Sequence, residues 1–133
     1  MDRKTARAQA MKLVYEWEMG GDGGDETRFE LLELKPGEGE SDFMNRLVEG
    51  VQGNVEAIDK SLAQYVRGWS LDRVTRVDLA ILRIAAYELM FTNTASGVVI
   101  NEAVELANRY STDKAGSFIN GVLGSLGRSL EDK

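Results

Sequence analysis

The 133-residue chain has the length of one domain and contains neither Cys nor His. That composition excludes disulfides, thiol nucleophiles, the usual zinc and haem ligand sets and every His-based acid/base mechanism. The net charge of −6 speaks at first against nucleic acid, because phosphate binding needs Lys and Arg.

The charge is not evenly spread. Between Asp22 and Asp42 stand eight acids (Asp22, Asp25, Glu26, Glu30, Glu33, Glu38, Glu40 and Asp42) against Arg28 and Lys35, so the remainder of the chain is neutral. The objection to nucleic acid therefore applies to one segment, and the simplest role for that segment is a solvated, solubilising surface.

From about Arg3 to Met19, Ala6, Ala10, Leu13, Val14 and Trp17 recur at spacings of three and four, which predicts an amphipathic helix. Arg3, Lys4, Arg7 and Lys12 fall mostly off its apolar face, and the Gly20-Gly21-Asp22-Gly23-Gly24 run ends it. No apolar signal-peptide core follows the charged N-terminus, and no apolar stretch approaches the ~18 residues that span a bilayer. A short helix is expected over about Asp25 to Leu34, then a loop at Lys35-Pro36-Gly37-Glu38-Gly39-Glu40.

Ser41 or Asp42 is an N-cap candidate for the longest periodic run, Met44, Leu47, Val48, Val51, Val55, Ile58, Leu62, Tyr65 and Val66. Gly50 and Gly53 interrupt that run at up to about 1 kcal/mol each, and close helix contact is the compensation expected of them. Ser70-Leu71-Asp72-Arg73 reads as a capped turn. From Thr75 or Arg76 to about Phe91 the residues are apolar nearly all round, which predicts a central, buried helix. Val98 to about Tyr110 and Ser117 to Leu130 complete an all-α chain of six to seven helices.

Catalysis finds little support. Glu102 and Glu105 share a helix face, but di-metal carboxylate bundles add Glu-x-x-His pairs, and the chain has no His. The Gly121–Gly127 stretch lacks the Lys-Ser or Lys-Thr of a phosphate loop, so helix packing is its expected role. Asn101 and Asn120 are expected to be buried hydrogen-bonding side chains, Arg83 and Glu88 intramolecular partners, and Trp17, Ile81, Leu82, Ile84 and Leu106 core. A basic stripe of Arg3, Lys4 and Arg7 with Tyr15 two turns on suits single-stranded RNA, where cations hold phosphates and a ring stacks a base.

Three stretches sharpen this. They are Ala6-Arg7-Ala8-Gln9-Ala10-Met11-Lys12-Leu13-Val14-Tyr15-Glu16-Trp17-Glu18, then Val77-Asp78-Leu79-Ala80-Ile81-Leu82-Arg83-Ile84-Ala85-Ala86-Tyr87-Glu88-Leu89, then Ile100-Asn101-Glu102-Ala103-Val104-Glu105-Leu106-Ala107 with Phe118-Ile119-Asn120-Gly121-Val122-Leu123. In that order they resemble the NusB family of bacterial transcription antitermination factors, from about Ala6 to Leu126. The resemblance implies two packed three-helix bundles in a single domain over residues 1–133, with no catalysis, cofactor or metal, in the cytoplasm.

It further implies binding of boxA-type single-stranded RNA together with the ribosomal protein NusE. RNA polymerase and other Nus factors would complete an assembly that supports ribosomal RNA operon transcription, with no membrane partner. RNA contacts are expected from Arg3, Lys4, Arg7, Tyr15, Lys114 and Phe118, and partner contacts from Tyr65 and Asp78. Related domains precede some ribosomal RNA methyltransferases, but a chain ending at Lys133 has no room for one, so the stand-alone factor is expected. The family's denser Arg run is reduced here to Arg3, Lys4 and Arg7, and Ala95, Gly97 and Gly124 replace its usual Pro, Lys and Asp. Weak, partner-dependent RNA binding follows. The alternative is a helical protein-interaction module or homodimer with little RNA affinity of its own; monomer and homodimer are both compatible with the resemblance.

Overall fold

The computed structural model describes residues 2–20, 41–66 and 71–131. These form five α-helices, α1 Arg3–Glu18, α2 Ser41–Ala63, α3 Arg76–Phe91, α4 Ser96–Tyr110 and α5 Ala115–Glu131, with a 3-10 turn at Leu71–Arg73. The described residues contain no strand. Among the described residues the helix count is thus below the expected six to seven. The short helix and loop expected between Asp25 and Glu40 lie outside the described residues.

Helix α3 organises the core. It packs against all four other helices, with α1 and α2 on one side and α4 and α5 on the other. Leu79, Ala80, Ile81, Leu82, Ile84, Ala85 and Ala86 are all buried, as an element apolar nearly all round requires. Ile81, Leu82, Ile84 and Leu106 sit in the core as expected, whereas Trp17 is half-buried and packs against it.

The helix ends follow from local chemistry. Asp2 caps α1 by accepting the Thr5 amide at 2.8 Å, and Thr75 caps α3 by accepting the Asp78 amide at 3.3 Å. Gly20 closes α1 with φ +98°, a left-handed conformation that favours glycine. Helix α2 is kinked: Asn54 leaves helical geometry at φ −127° and ψ 19°, and its side-chain amide donates to the Gly50 carbonyl at 2.8 Å. The apolar period continues across the kink, so the sequence pattern does not reveal it.

Of the two glycines expected to allow close contact in α2, only Gly50 does so. A Cβ there would overlap the ring of Tyr87 from α3, while one at Gly53 would meet open space. Gly50→Ala is therefore expected to destabilise the fold by about 1–3 kcal/mol, the usual cost of overpacking, and Gly53→Ala to stabilise it slightly; denaturant melts of the two variants check this. In α5 the close approach is at Gly116, where a Cβ would lie 2.8 Å from the Asn108 side-chain oxygen; in the Gly121–Gly127 stretch, Gly127 is buried at ordinary contact distance from Ile100 and Ser96, and a Cβ at Gly121 would meet open space.

Two asparagines correct the sequence reading. Asn101 and Asn120 are exposed, not buried. The inner face of α4 is made by Val99, Ala103, Leu106 and Ala107, and that of α5 by Ile119, Val122, Leu123 and Leu126. Each asparagine lies next to apolar residues in sequence, but a rotation of ~100° per residue turns it to solvent.

Candidate nucleic-acid interface

At the start of α1, Arg3 and Lys4 are exposed and Arg7 is not. The Arg3 guanidinium stacks on the Phe43 ring of α2 at 4.4 Å, and that of Arg7 lies 5.1 Å from the same ring. Arg7 is only 5% exposed and forms a two-pronged pair with Glu88, itself 1% exposed: Nε donates to Oε2 at 2.8 Å and Nη2 to Oε1 at 2.9 Å. This corrects the placement of Arg7 on the exposed side. Helix α1 packs on both α2 and α3, so its buried arc takes in Arg7 and Ala8 as well as the apolar stripe. Glu88 and Arg83 are intramolecular partners, as expected.

Lys4 donates to Glu105 of α4 at 2.6 Å, with both side chains exposed. That hydrogen bond, aided by the charges of Glu102 and Glu105, raises the Lys4 ammonium above its ordinary pKa. Being at the surface, Lys4 is free to exchange Glu105 for a phosphate. Further along α1, Lys12 sits 5.2 Å over the ring of Tyr110, with Arg109 at 5.9 Å. Tyr110 and Tyr15 are each 37% exposed. The Tyr110 ring thus holds two cations at the surface by cation–π contact, where they can meet phosphate. The sequence reading passes over Tyr110; the Arg109-Tyr110 pair is local, but its meeting with Lys12 is made by packing.

The second region lies where α5 begins, against the first turn of α3. Asp78, Lys114 and Phe118 line one cavity of about 300 Å³ with Arg73, Val74 and Ala115. Asp78 is 8% exposed and accepts the Ser111 hydroxyl at 2.6 Å, which fixes its carboxylate at the rim. Phe118 is half-buried and also lines a neighbouring cavity of about 370 Å³ with Tyr65, Val122 and Arg128. Lys114 is exposed.

The sequence candidates thus fall into two groups. Asp78, Lys114, Phe118 and Tyr65 share adjoining cavities at the start of α3, while Arg3 and Arg7 lie by Phe43 near its far end. The distance from Asp78 to Thr92 along α3 is about 20 Å at ~1.5 Å per residue.

The sequence profile of the NusB family matches residues 4–128. The chain belongs to the NusB family. It is 42% identical to the transcription antitermination protein NusB of Acetivibrio thermocellus, over 95% of this chain and 88% of that one. Its fold matches T. maritima NusB with a TM-score of 0.84 and 31% identity, covering 96% of this chain and 92% of the other. It also matches a crystal structure of the antitermination factors NusB and NusE in complex with dsRNA, with a TM-score of 0.85, 29% identity and 96% coverage of each chain. No helix among the described residues of this NusB-family chain is long and apolar enough to cross a membrane.

Proposed function

We propose that this chain is a cytoplasmic transcription antitermination factor. It works as a single-domain adaptor over residues 1–133, without catalysis, cofactor or metal. It binds boxA-type single-stranded RNA together with NusE and, with other Nus factors and RNA polymerase, supports ribosomal RNA operon transcription. The observation that carries this reading is the meeting of Lys114, Phe118 and Asp78 around one cavity, in a chain whose structural relative was solved with NusE and RNA. Lys114 supplies a phosphate contact and the Phe118 ring a stacking platform. Asp78 and Tyr65, beside them, offer an acid and an aromatic to a basic protein partner. A stacking ring calls for an unpaired base, which favours single-stranded RNA over a duplex.

Arg3, Lys4 and Tyr15 extend the RNA surface. Arg7 contributes indirectly, by holding Phe43 and α1 in place. One observation favours the second reading, a protein-interaction module with little RNA affinity: N-terminal cations already have acidic partners, Lys4 with Glu105 and Arg7 with Glu88. Fluorescence anisotropy with a boxA oligoribonucleotide, with and without NusE and across a salt series, separates the two. Phe118→Ala is expected to weaken RNA binding by about 1–3 kcal/mol. Lys114→Ala is expected to lower the slope of log K against log salt by about 1. If both variants keep the parent affinity and slope while NusE still binds, the protein-only reading stands.

A further inference from the structure

Beside the N-termini of α1 and α2 and the C-terminus of α3 lies an open cleft of about 450 Å³, a volume within the range of small-ligand sites. Arg3 and Arg46 supply its cations, Phe43 and Tyr87 its rings, and Asn93 and Thr94 its polar wall. We propose that this cleft holds one nucleotide of a single RNA strand whose other end occupies the Lys114–Phe118 cavity. The proposal rests on the RNA-binding reading above and extends it to residues at the opposite end of α3.

Charge, rigidity and spacing support it. Arg46 is exposed and makes no hydrogen bond or ion pair among the described residues, so a phosphate can approach it without breaking an internal contact. The rings are held in advance. Tyr87 fits against Gly50 and stacks on Phe91 with centroids 5.6 Å apart, while Phe43, buried beneath the guanidiniums of Arg3 and Arg7, offers no face to a base and instead seats the Arg3 cation at the cleft. A preorganised platform loses less entropy on binding. The Asn93 amide offers a donor and an acceptor to a base edge; the Thr92 hydroxyl is already committed to the Glu88 carbonyl at 2.7 Å. A base still paired in a duplex is not available to such a cleft.

The spacing makes the proposal quantitative. The two ends of α3 are about 20 Å apart, so a strand stacked at ~3.4 Å per nucleotide needs about six nucleotides to reach both, and an unstacked strand, extended to roughly twice that rise, at least about four. The test is binding of the full chain, with NusE, to boxA-derived RNAs of about two and about twelve nucleotides, which fall below the extended reach and above the stacked one. Arg46→Ala is expected to weaken binding of the longer RNA five- to tenfold and to lower its salt slope by about 1. Binding of the shorter RNA, seated in the Lys114–Phe118 cavity, is expected to stay unchanged. Asn93→Ala is expected to weaken the longer RNA while leaving the slope intact, because it removes a base contact and not a charge. Both side chains are exposed, so both variants are expected to fold.

Unchanged affinity and slope for the longer RNA in Arg46→Ala, with Lys114→Ala still weakening it, would overturn the proposal and leave the functional reading intact. Loss of NusE affinity with RNA binding unchanged would assign the cleft to protein and overturn it as well. If the parent chain with NusE binds neither RNA, the functional reading itself fails, and the cleft proposal fails with it.

Discussion

Glu88→Ala is expected to cost about 3–5 kcal/mol of folding stability, because it strands the buried Arg7 guanidinium without its carboxylate. The pair is nearly closed to solvent and uses two parallel N–H···O bonds of 2.8 and 2.9 Å. It links α1 to α3, and Arg7 also lies on Phe43 of α2, so one side chain ties three helices together. Arg7→Ala alone is expected to lose a similar amount by leaving Glu88 buried and unpaired. Replacing both, as Arg7→Met with Glu88→Leu, removes both charges and keeps most of the volume. The double variant is expected to recover most of the loss, since an apolar pair of similar size is often as stable as a buried ion pair. Urea melts of the parent, both single variants and the double variant form the cycle that measures this coupling. Strictly additive losses would mean that the pair is not a unit. The same result bears on RNA: an affinity loss in Arg7→Ala reports a disturbed fold before it reports a lost phosphate contact.

Much of the fold was legible because the apolar periodicity is strong. The expected helix over Arg76–Phe91 is central because it has no polar stripe to show to water, and its packing against all four other helices follows. Periodicity assigns a residue to an arc, but it does not say how wide the buried arc is. The stripe of Ala6, Ala10, Leu13, Val14 and Trp17 leaves Arg7 mostly off its face, which points it to solvent. The width of α1's buried face is set by two neighbouring helices and by an acid 81 residues away, and nothing local encodes either. Asn101 and Asn120 differ for the opposite reason: adjacency to Ile100 and Ile119 suggests burial, but the helical period of the two inner faces turns both asparagines outward. The kink at Asn54 is hidden because the apolar positions keep their register through it. At the candidate site, residue types were readable and grouping was not. Phe118 lies on the first turn of α5 and Lys114 directly precedes that helix, but their meeting with Asp78 is made by tertiary packing. Tyr110 and Arg46 were missed because their significance lies in what stands across from them, Lys12 in one case and the rim of the Tyr87 cleft in the other.

Arg83→Met is expected to destabilise the fold by about 2–4 kcal/mol above neutral pH, and by clearly less near pH 5. Arg83 joins three helices. Its Nε and Nη2 donate to the two Asp59 oxygens of α2 at 2.9 and 2.7 Å, and its Nη1 donates to Glu18 Oε1 of α1 at 3.0 Å. The Glu18 side chain is closed to solvent, and its Oε2 has no hydrogen-bond partner among the described residues. Burial pushes the Glu18 carboxyl up to about 7 from its ordinary 4.5, against the pull of Arg83. Between those two values the folded chain holds a proton that the unfolded chain has released, so stability falls as pH rises through that window. In the parent this loss is expected to be about 2–4 kcal/mol, at ~1.4 kcal/mol per pKa unit. Removing Arg83 takes away the charge that holds the Glu18 value down, so the fall is expected to steepen and extend above pH 7. Glu18→Gln has no carboxyl to titrate and is expected to flatten this part of the profile, while Arg83 keeps its two bonds to Asp59. Denaturant melts of the three proteins at intervals between pH 5 and 8 decide the matter; parallel profiles would show that Glu18 is not the titrating group.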